Sequence, residues 1–266
     1  MLFFEIVLVL LFSFFLATLA SFFNVVIVRT AREESFTGGR SKCDTCGKQI
    51  AWFDNVPLFS FLLLRGKCRH CHKAIARTYF TTELLAFALG IIFYLLYAHF
   101  AWWQDLSLPQ LVLGFLIFFV LTFVFLADWQ YMLVPDFFVL LLGILVLIWQ
   151  IVAGGSWLGP LTAVFFSTLF FGSLYFVAKK ILGKEALGLG DLKLMVPLSF
   201  LLSWPKTVLA IFLAFIIGGI FAMLILLVGK KKFGQALPFA PFLLIAFGIS
   251  FFYGEMIWQW YLGYLF

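Results

Sequence analysis

Charged residues are scarce in this chain, and their scarcity excludes most classes of soluble protein. Only 11% of the residues are charged, whereas 65% are hydrophobic and the mean hydropathy is +1.13. A soluble domain cannot cover its surface with so few charges. The net charge of +6 does not indicate nucleic-acid binding, because the basic residues lie in loops between apolar runs. The composition therefore predicts an all-α membrane protein that is surrounded by lipids and has no nucleic-acid partner.

The first apolar segment, residues 2–28, lacks the basic start of a cleaved signal peptide, so we predict a retained membrane helix. A bilayer core of about 30 Å requires about 20 apolar residues per crossing. By this measure the sequence predicts eight transmembrane helices, over residues 2–28, 80–101, 110–127, 137–153, 161–178, 192–204, 208–228 and 237–253. The sixth run holds only 13 residues, which form about 20 Å of helix.

Lysine and arginine are distributed unevenly among the connecting loops. With eight crossings, 17 of the 18 basic residues fall on one side of the membrane, in residues 29–77, 179–193 and 230–232. Basic loops mark the cytoplasmic side of a membrane protein. We therefore expect a multi-pass protein of the plasma membrane, with these loops in the cytoplasm.

Cysteine is also scarce, and all four cysteines lie in the first long loop. They form two CxxC pairs, Cys43 with Cys46 and Cys68 with Cys71. Such spacing can supply four thiolates to a tetrahedral Zn²⁺, and a complete set of four cysteines is typical of a structural site. Disulfides are the alternative, but they rarely persist in the cytoplasm. A less favoured alternative is that His70 or His72 serves as a ligand.

The loop between the first two helices is too short and too polar to build much core of its own. Zinc would therefore supply much of its folding free energy. Between the cysteine pairs, residues 55–66 are apolar enough to lie along the membrane surface. We predict three parts for the chain: a first helix at 1–28, a zinc-binding cytoplasmic insert at 29–79, and a membrane-embedded catalytic core at 80–266.

Two aspartates stand at predicted helix ends that face the same side of the membrane. Asp191 follows Gly188 and Gly190 at the start of the sixth span, and Asp128 ends the third span. An ionisable residue at membrane depth is costly and by default indicates function. Two carboxylates held close together can share a proton, one activating water and the other protonating a carbonyl. The pair predicts peptide hydrolysis at the membrane edge.

Each acidic residue also has a structural explanation to weigh. Asp191 could cap its helix, which is about as probable as catalysis for this residue alone, and capping is the better explanation for Asp136 after Pro135. Asp128 at a helix C-terminus meets the negative end of the dipole, so capping does not explain it. From these positions we predict that Asp191 starts as the base and Asp128 as the acid.

Together these motifs resemble the type IV prepilin peptidases, polytopic aspartic proteases of the GxGD class. The resemblance is carried by residues 21–29, 43–71, 79–83, 128–136, 188–194 and 238–242. It implies cleavage of the leader of prepilins or pseudopilins, after a glycine, at the cytoplasmic face of the bacterial inner membrane. It also implies that Asp128 and Asp191 are catalytic and that Asp136 is not. Many members then methylate the new N-terminus with S-adenosylmethionine, an activity associated with the cysteine-bearing insert.

Two other classes of protein compete with this interpretation. An ion-coupled transporter with functional carboxylates would be expected to show buried charges along several helices or an internal repeat, and the sequence shows neither. A non-enzymatic scaffold for pilus or secretion assembly is the other alternative. No glycine-rich nucleotide loop follows a predicted strand, so the residues that would bind S-adenosylmethionine are not identified.

Overall fold

The computed structural model describes residues 2–99, 107–182, 188–229 and 237–265. Within these ranges the chain is helical apart from its loops and two isolated β-bridges. The helices are α1 (Leu2–Ala31), α2 (Phe59–Leu63), α3 (Arg77–His99), α4 (Leu108–Tyr131), α5 (Asp136–Ala153), α6 (Leu158–Leu182), α7 (Leu189–Leu202), α8 (Lys206–Leu227) and α9 (Ala240–Leu265). A single 3₁₀ turn, Trp52–Asn55, precedes α2. Predicted features at residues 100–101, Lys184 and 230–232 lie outside the described residues.

Seven of the described helices are long and apolar enough to cross a membrane. They are α1, α3, α4, α5, α6, α8 and α9, which confirms that the chain is an all-helical, multi-pass membrane protein. Each corresponds to one of the eight predicted spans. The eighth corresponds to α7, whose 14 residues give a helix of about 21 Å. This length is short of the bilayer core, so the eighth crossing is not confirmed.

Local sequence explains where several of these helices begin and end. Pro135 immediately precedes α5, and Gly154 ends it in the left-handed conformation with φ of +65°. Proline fixes the backbone at a helix start, and glycine adopts the left-handed conformation at a helix end without steric cost. The connection from α7 to α8 runs through Ser203 and Pro205. These residues end α7 after 14 residues.

The contacts divide the chain into two compact units, Met1–Ser107 and Leu108–Phe266. In the first unit α1 packs against α3, and the cysteine-bearing insert connects them. In the second unit α4 packs against α5 and α9, and α7 packs against α5, α6 and α9. The contacts thus group α3 with α1, whereas the predicted division assigned it to the catalytic core. The functional division into 1–28, 29–79 and 80–266 stays a prediction.

Two contacts show how closely α1 and α3 pack. A Cβ atom added to Gly90 would lie 2.6 Å from the Ser13 Oγ, so the two helices meet where α3 has no side chain. Nearer the insert, the Asn24 amide donates a hydrogen bond of 2.6 Å to the Thr82 hydroxyl. Both partners of this hydrogen bond are buried, so each polar group is satisfied within the helix pair.

Candidate active site and candidate metal centre

Asp128 lies near the C-terminal end of α4 and is buried, with 5% of its surface exposed. The backbone N–H of Ala240, the first residue of α9, donates a hydrogen bond of 3.0 Å to its Oδ2. The first N–H groups of a helix have no partner within that helix. The Asp128 carboxylate therefore caps the N-terminus of α9, and this hydrogen bond fixes its position.

Asp191 lies in the first turn of α7 and is also buried, with 7% of its surface exposed. The Asp191 N–H donates a hydrogen bond of 3.2 Å to the carbonyl of Gly188, the residue before the helix, and the backbone of Gly188 lies beside the Asp191 carboxylate. A Cβ atom at Gly188 would lie 3.3 Å from the Asp191 Oδ2, so glycine leaves room for the carboxylate.

Both aspartates lie in the unit Leu108–Phe266, on helices that share packing partners. The charge of Asp128 acts on the Asp191 carboxylate, so the two groups interact electrostatically. The helices that carry them, α4 and α7, both pack against α5 and α9. Two buried carboxylates that interact electrostatically can exchange protons with a bound water or substrate.

Gly190, the second glycine before Asp191, lies in a close contact between α7 and a loop. A Cβ atom at this position would lie 3.1 Å from the Val134 Cβ, in the loop between α4 and α5. The start of α7 therefore contacts this loop without an intervening side chain. The loop follows α4, which carries Asp128, so the contact helps to set the separation of the two carboxylates.

The sequence analysis predicted that Asp191 is the base and Asp128 the acid from their positions at helix ends. The structure does not support this distinction. Asp128 is near the end of its own helix, as expected, but its carboxylate binds the N-terminus of α9. The Asp191 carboxylate lies at the N-terminus of α7. Both carboxylates thus meet the positive end of a helix dipole, and helix position does not distinguish an acid from a base. Asp128 also has a structural contact that the sequence analysis had not found.

Asp136 lies at the protein surface and belongs to a different set of contacts. It is the first residue of α5, and no side-chain hydrogen bond caps that helix. Its Oδ1 is 2.7 Å from the Lys193 Nζ, in an ion pair whose side chains are 74% and 50% exposed, respectively. This carboxylate is therefore solvated and paired.

The four cysteines form one cluster with the geometry of a tetrahedral metal site. Their sulfur atoms all lie within 4.8 Å of one another, and the Cys43 and Cys71 sulfurs are 3.9 Å apart. Tetrahedral Zn²⁺ with Zn–S bonds of about 2.3 Å requires sulfur atoms about 3.8 Å apart. The backbone N–H groups of Cys46 and Thr45 donate to the Cys43 sulfur and lower the pKa of that thiol to about 6. The donor set fits zinc, with Cys43, Cys46, Cys68 and Cys71 as its ligands.

The two cysteine pairs form knuckles of the same backbone design. In the first, the Cys43 N–H bonds to the Lys48 carbonyl and a β-bridge joins Lys42 to Gln49; in the second, the corresponding bond runs from Cys68 to Lys73. Each knuckle turns through a residue of positive φ, which is Gly47 at +67° in the first and His72 at +56° in the second.

His72 therefore takes the place of a turn glycine. Within the described residues, the group that could hold a metal contains only the cysteines. The structure does not support the alternative in which a histidine is a ligand.

The first unit contains a cavity of about 590 Å³ between the insert and the adjoining ends of α1 and α3. Its walls include Arg29, Tyr79 and Glu83, and the knuckle residue Cys68. Arg29 donates to the carbonyls of Ser35, Gly38 and Gly39 among others, and so folds the start of the insert around its guanidinium. The sequence analysis had not assigned a role to Arg29 or Glu83 because their partners are backbone groups of loops.

Comparisons with known proteins match the two regions of the chain that contain the candidate site residues. Residues 14–100 match the family model described as Bacterial Peptidase A24 N-terminal domain, and residues 115–223 match the Type IV leader peptidase family. The first region contains the cysteine cluster, and the second contains Asp128 and Asp191. No solved structure matches the chain significantly.

Several similar proteins carry the name Prepilin leader peptidase/N-methyltransferase. The one from Vibrio cholerae is 39% identical over 140 residues, which are 50% of this chain and 52% of that protein. The one from Aeromonas salmonicida is 32% identical over 225 residues, 84% of this chain and 75% of the relative. The one from Dichelobacter nodosus is 34% identical over 236 residues, with coverage of 82% and 73%. The chain belongs to the type IV leader peptidase family.

Proposed function

We propose that this protein is an aspartic endopeptidase that removes the leader peptides of type IV prepilins or pseudopilins. In this proposal Asp128 and Asp191 are the catalytic residues. The observation that carries it is the pair of buried, electrostatically interacting carboxylates, each at a helix N-terminus, in a family of leader peptidases. The family match does not favour the transporter or the scaffold alternative.

The proposed chemistry follows from what two coupled carboxylates can do. One carboxylate removes a proton from a water molecule, and the water oxygen forms a bond to the carbonyl carbon of the scissile peptide. The other, protonated, gives its proton to the carbonyl oxygen. Collapse of the tetrahedral intermediate breaks the C–N bond, and the amine leaves with a proton from the pair. Either aspartate can serve as the initial base, because both carboxylates lie at helix N-termini.

The proposed cleavage takes place after glycine at the cytoplasmic face of the inner membrane. In the predicted topology, the end of α4 that carries Asp128 and the start of α7 that carries Asp191 face the same side of the membrane as the basic loops, which is the cytoplasmic side. A leader peptide is basic and cytoplasmic in this proposal, so it reaches the two carboxylates without crossing the bilayer.

We assign a second proposed activity, methylation of the new N-terminus, to the first unit. The match to the Type IV leader peptidase family lies within the second unit, whereas the cavity of about 590 Å³ lies in the first. A cavity of this volume is in the range of sites for small ligands and cofactors. S-adenosylmethionine would supply the methyl group. The cysteine cluster holds a structural Zn²⁺ in this proposal, because four thiolates leave no open position for a reacting water.

The peptidase proposal is tested by replacing each aspartate with asparagine. Asp128→Asn and Asp191→Asn keep a hydrogen-bond acceptor but remove the ionisable oxygen. Each variant is co-expressed with a prepilin, and leader removal is followed on a gel. We expect unprocessed prepilin with both variants. Asp136→Asn is the matched control and should process normally, because Asp136 lies at the surface in its ion pair. Normal processing by Asp128→Asn or Asp191→Asn rejects the proposal.

The methylation proposal is tested with purified protein, a prepilin and labelled S-adenosylmethionine. We expect label on the cleaved product and not on the uncleaved prepilin, because the amine that accepts the methyl group forms only on cleavage. Cleaved product without label would remove the second activity and leave the first intact.

A further inference from the structure

The segment between the two zinc knuckles carries an exposed apolar surface. This inter-knuckle segment, residues 51–64, comprises the 3₁₀ turn Trp52–Asn55 and the short helix α2. Trp52 is 76% exposed, Leu62 is 62% exposed and Leu63 is 82% exposed, and Phe53 and Phe59 are also exposed. Several large apolar side chains exposed on one short segment indicate a surface that contacts another apolar phase.

The segment contacts α1 and α3 at residues that lie within their candidate membrane spans. The Leu58 N–H donates a hydrogen bond of 2.9 Å to the Glu83 Oε2, which is about 9 Å along α3 from Arg77. The ring of Phe59 lies 5.8 Å from that of Phe14, which is about 22 Å along α1 from Arg29. Both helices qualify as membrane spans over these residues.

Many backbone groups of the segment are bonded within the protein, as a membrane requires. The Asp54 N–H bonds to the Ala51 carbonyl, and the N–H groups of Ser60 and Leu62 bond to carbonyls four residues earlier. The Ser60 hydroxyl donates to the Phe53 carbonyl. Non-helical backbone at membrane depth is tolerated only when its polar groups find partners in protein.

Glu83 connects the inter-knuckle segment to α3 through a hydrogen bond. It is a buried acidic residue in a candidate membrane span, and the peptidase chemistry does not use it. An acidic group at membrane depth is costly unless it is paired. Its carboxylate accepts the Leu58 N–H at a residue with φ of +63°, where the chain turns into α2. Glu83 thus satisfies the backbone donor that this turn leaves without a partner in its own helix.

We propose that the inter-knuckle segment is inserted among the lipids of the membrane leaflet nearest the zinc cluster. The surface contacts lipid in this proposal, because the segment binds two candidate membrane helices and because many of its backbone bonds are made within the protein. Arg65 and Lys67 follow the segment directly, where their charges would meet lipid phosphates while Leu62 and Leu63 enter the acyl chains. The insertion fastens the zinc knuckles to the membrane surface.

The experiment uses the full-length protein in vesicles whose lipids carry bromine on the acyl chains. A fluorescent amino acid is introduced at position 63 in one variant and at position 52 in another. Bromine quenches fluorescence on close contact, so quenching reports exposure to acyl chains. Position 92 on α3 is the lipid-facing control, since Ile92 is 47% exposed on a candidate span, and position 48 in the first knuckle is the aqueous control.

We expect quenching at positions 63 and 52 to be at least half of that at position 92, and none above background at position 48. Each labelled protein is first shown to hold one zinc per chain, so that only folded inserts are compared. Quenching at both positions no greater than at position 48 overturns the proposal, whether water, a second copy of the chain or a bound protein covers the segment.

Discussion

The metal cluster and the aspartate pair each join side chains that are distant in the sequence, but different interactions hold them in place. The cysteines are arranged by short knuckles whose turns depend on local backbone bonds, such as that from Cys68 to Lys73. The aspartates are arranged by long helices and by contacts with the backbone of Gly188 and Ala240. A knuckle can therefore form wherever zinc is available, whereas the aspartate site requires the packed second unit.

The largest expected effect is the loss of zinc from the first unit. Cys43→Ser removes one ligand of four and should abolish stoichiometric zinc, measured by metal analysis of the purified protein. Structural zinc contributes about 10 kcal/mol or more to the folding of such small inserts. We expect protease sensitivity within residues 29–76 and loss of methyl transfer. Leader cleavage should persist, because the aspartate contacts described above lie within Leu108–Phe266.

The opposite result in Cys43→Ser would be a loss of leader cleavage while the helices of the second unit stay folded. The two sites would then depend on one another. Wild-type protein from which a chelator has removed zinc is the control. Adding zinc back should restore protease resistance to the wild-type protein but not to Cys43→Ser.

A smaller effect is expected at the glycine that sets the position of α7. Gly190→Ala places a Cβ atom 3.1 Å from the Val134 Cβ and requires a shift of a few tenths of an ångström. Misplacement of a catalytic group by about 1 Å costs about 10²-fold in rate. We expect kcat/KM for leader cleavage to fall about tenfold, and Val134→Ala in the same chain to restore most of it.

Gly172→Ala in α6 is the control for the glycine itself, because no atom lies within 4 Å of an added Cβ there. It should cleave at the wild-type rate. Unchanged cleavage by Gly190→Ala, or no rescue by Val134→Ala, would show that the α7 contact does not set the separation of the carboxylates.

Much of the fold was predictable, because hydropathy and cysteine spacing are local signals. Each predicted span corresponds to an observed helix, and the predicted cysteine cluster forms. The number of crossings was less certain, because α7 is too short to be judged by length. The contact of Asp128 with Ala240 could not be predicted, since it depends on how α4 and α9 pack.

The next effect in size concerns the buried carboxylate in the first unit. Glu83→Leu removes the acceptor of the Leu58 N–H and should lower the free energy of unfolding of that unit by about 1 to 3 kcal/mol, the cost of a buried unsatisfied donor. Thermal unfolding in detergent measures the change. Glu83→Gln keeps a carbonyl acceptor and should lose less. If Glu83→Leu were as stable as the wild type, the hydrogen bond from Leu58 to Glu83 would not stabilise the segment.

The smallest effect compares the two knuckles directly. His72 adopts a φ of +56° that costs a side-chain-bearing residue about 1 kcal/mol, whereas Gly47 adopts the same turn freely. His72→Gly should therefore strengthen zinc retention against a chelator by about fivefold, which corresponds to about 1 kcal/mol. His70→Gly is the control and should bring no gain. Weaker zinc retention in His72→Gly alone would indicate that the imidazole contributes to metal binding.

The central claim is that Asp128 and Asp191 act as one acid–base pair, and a double-mutant cycle tests it most directly. The measurement is kcat/KM for leader cleavage by wild type, Asp128→Asn, Asp191→Asn and the double variant. We predict a loss of about 10³-fold or more in each single variant and no further loss in the double variant, because removing either member disables the pair. Losses that multiply in the double variant, or a single variant that cleaves at the wild-type rate, would contradict the account.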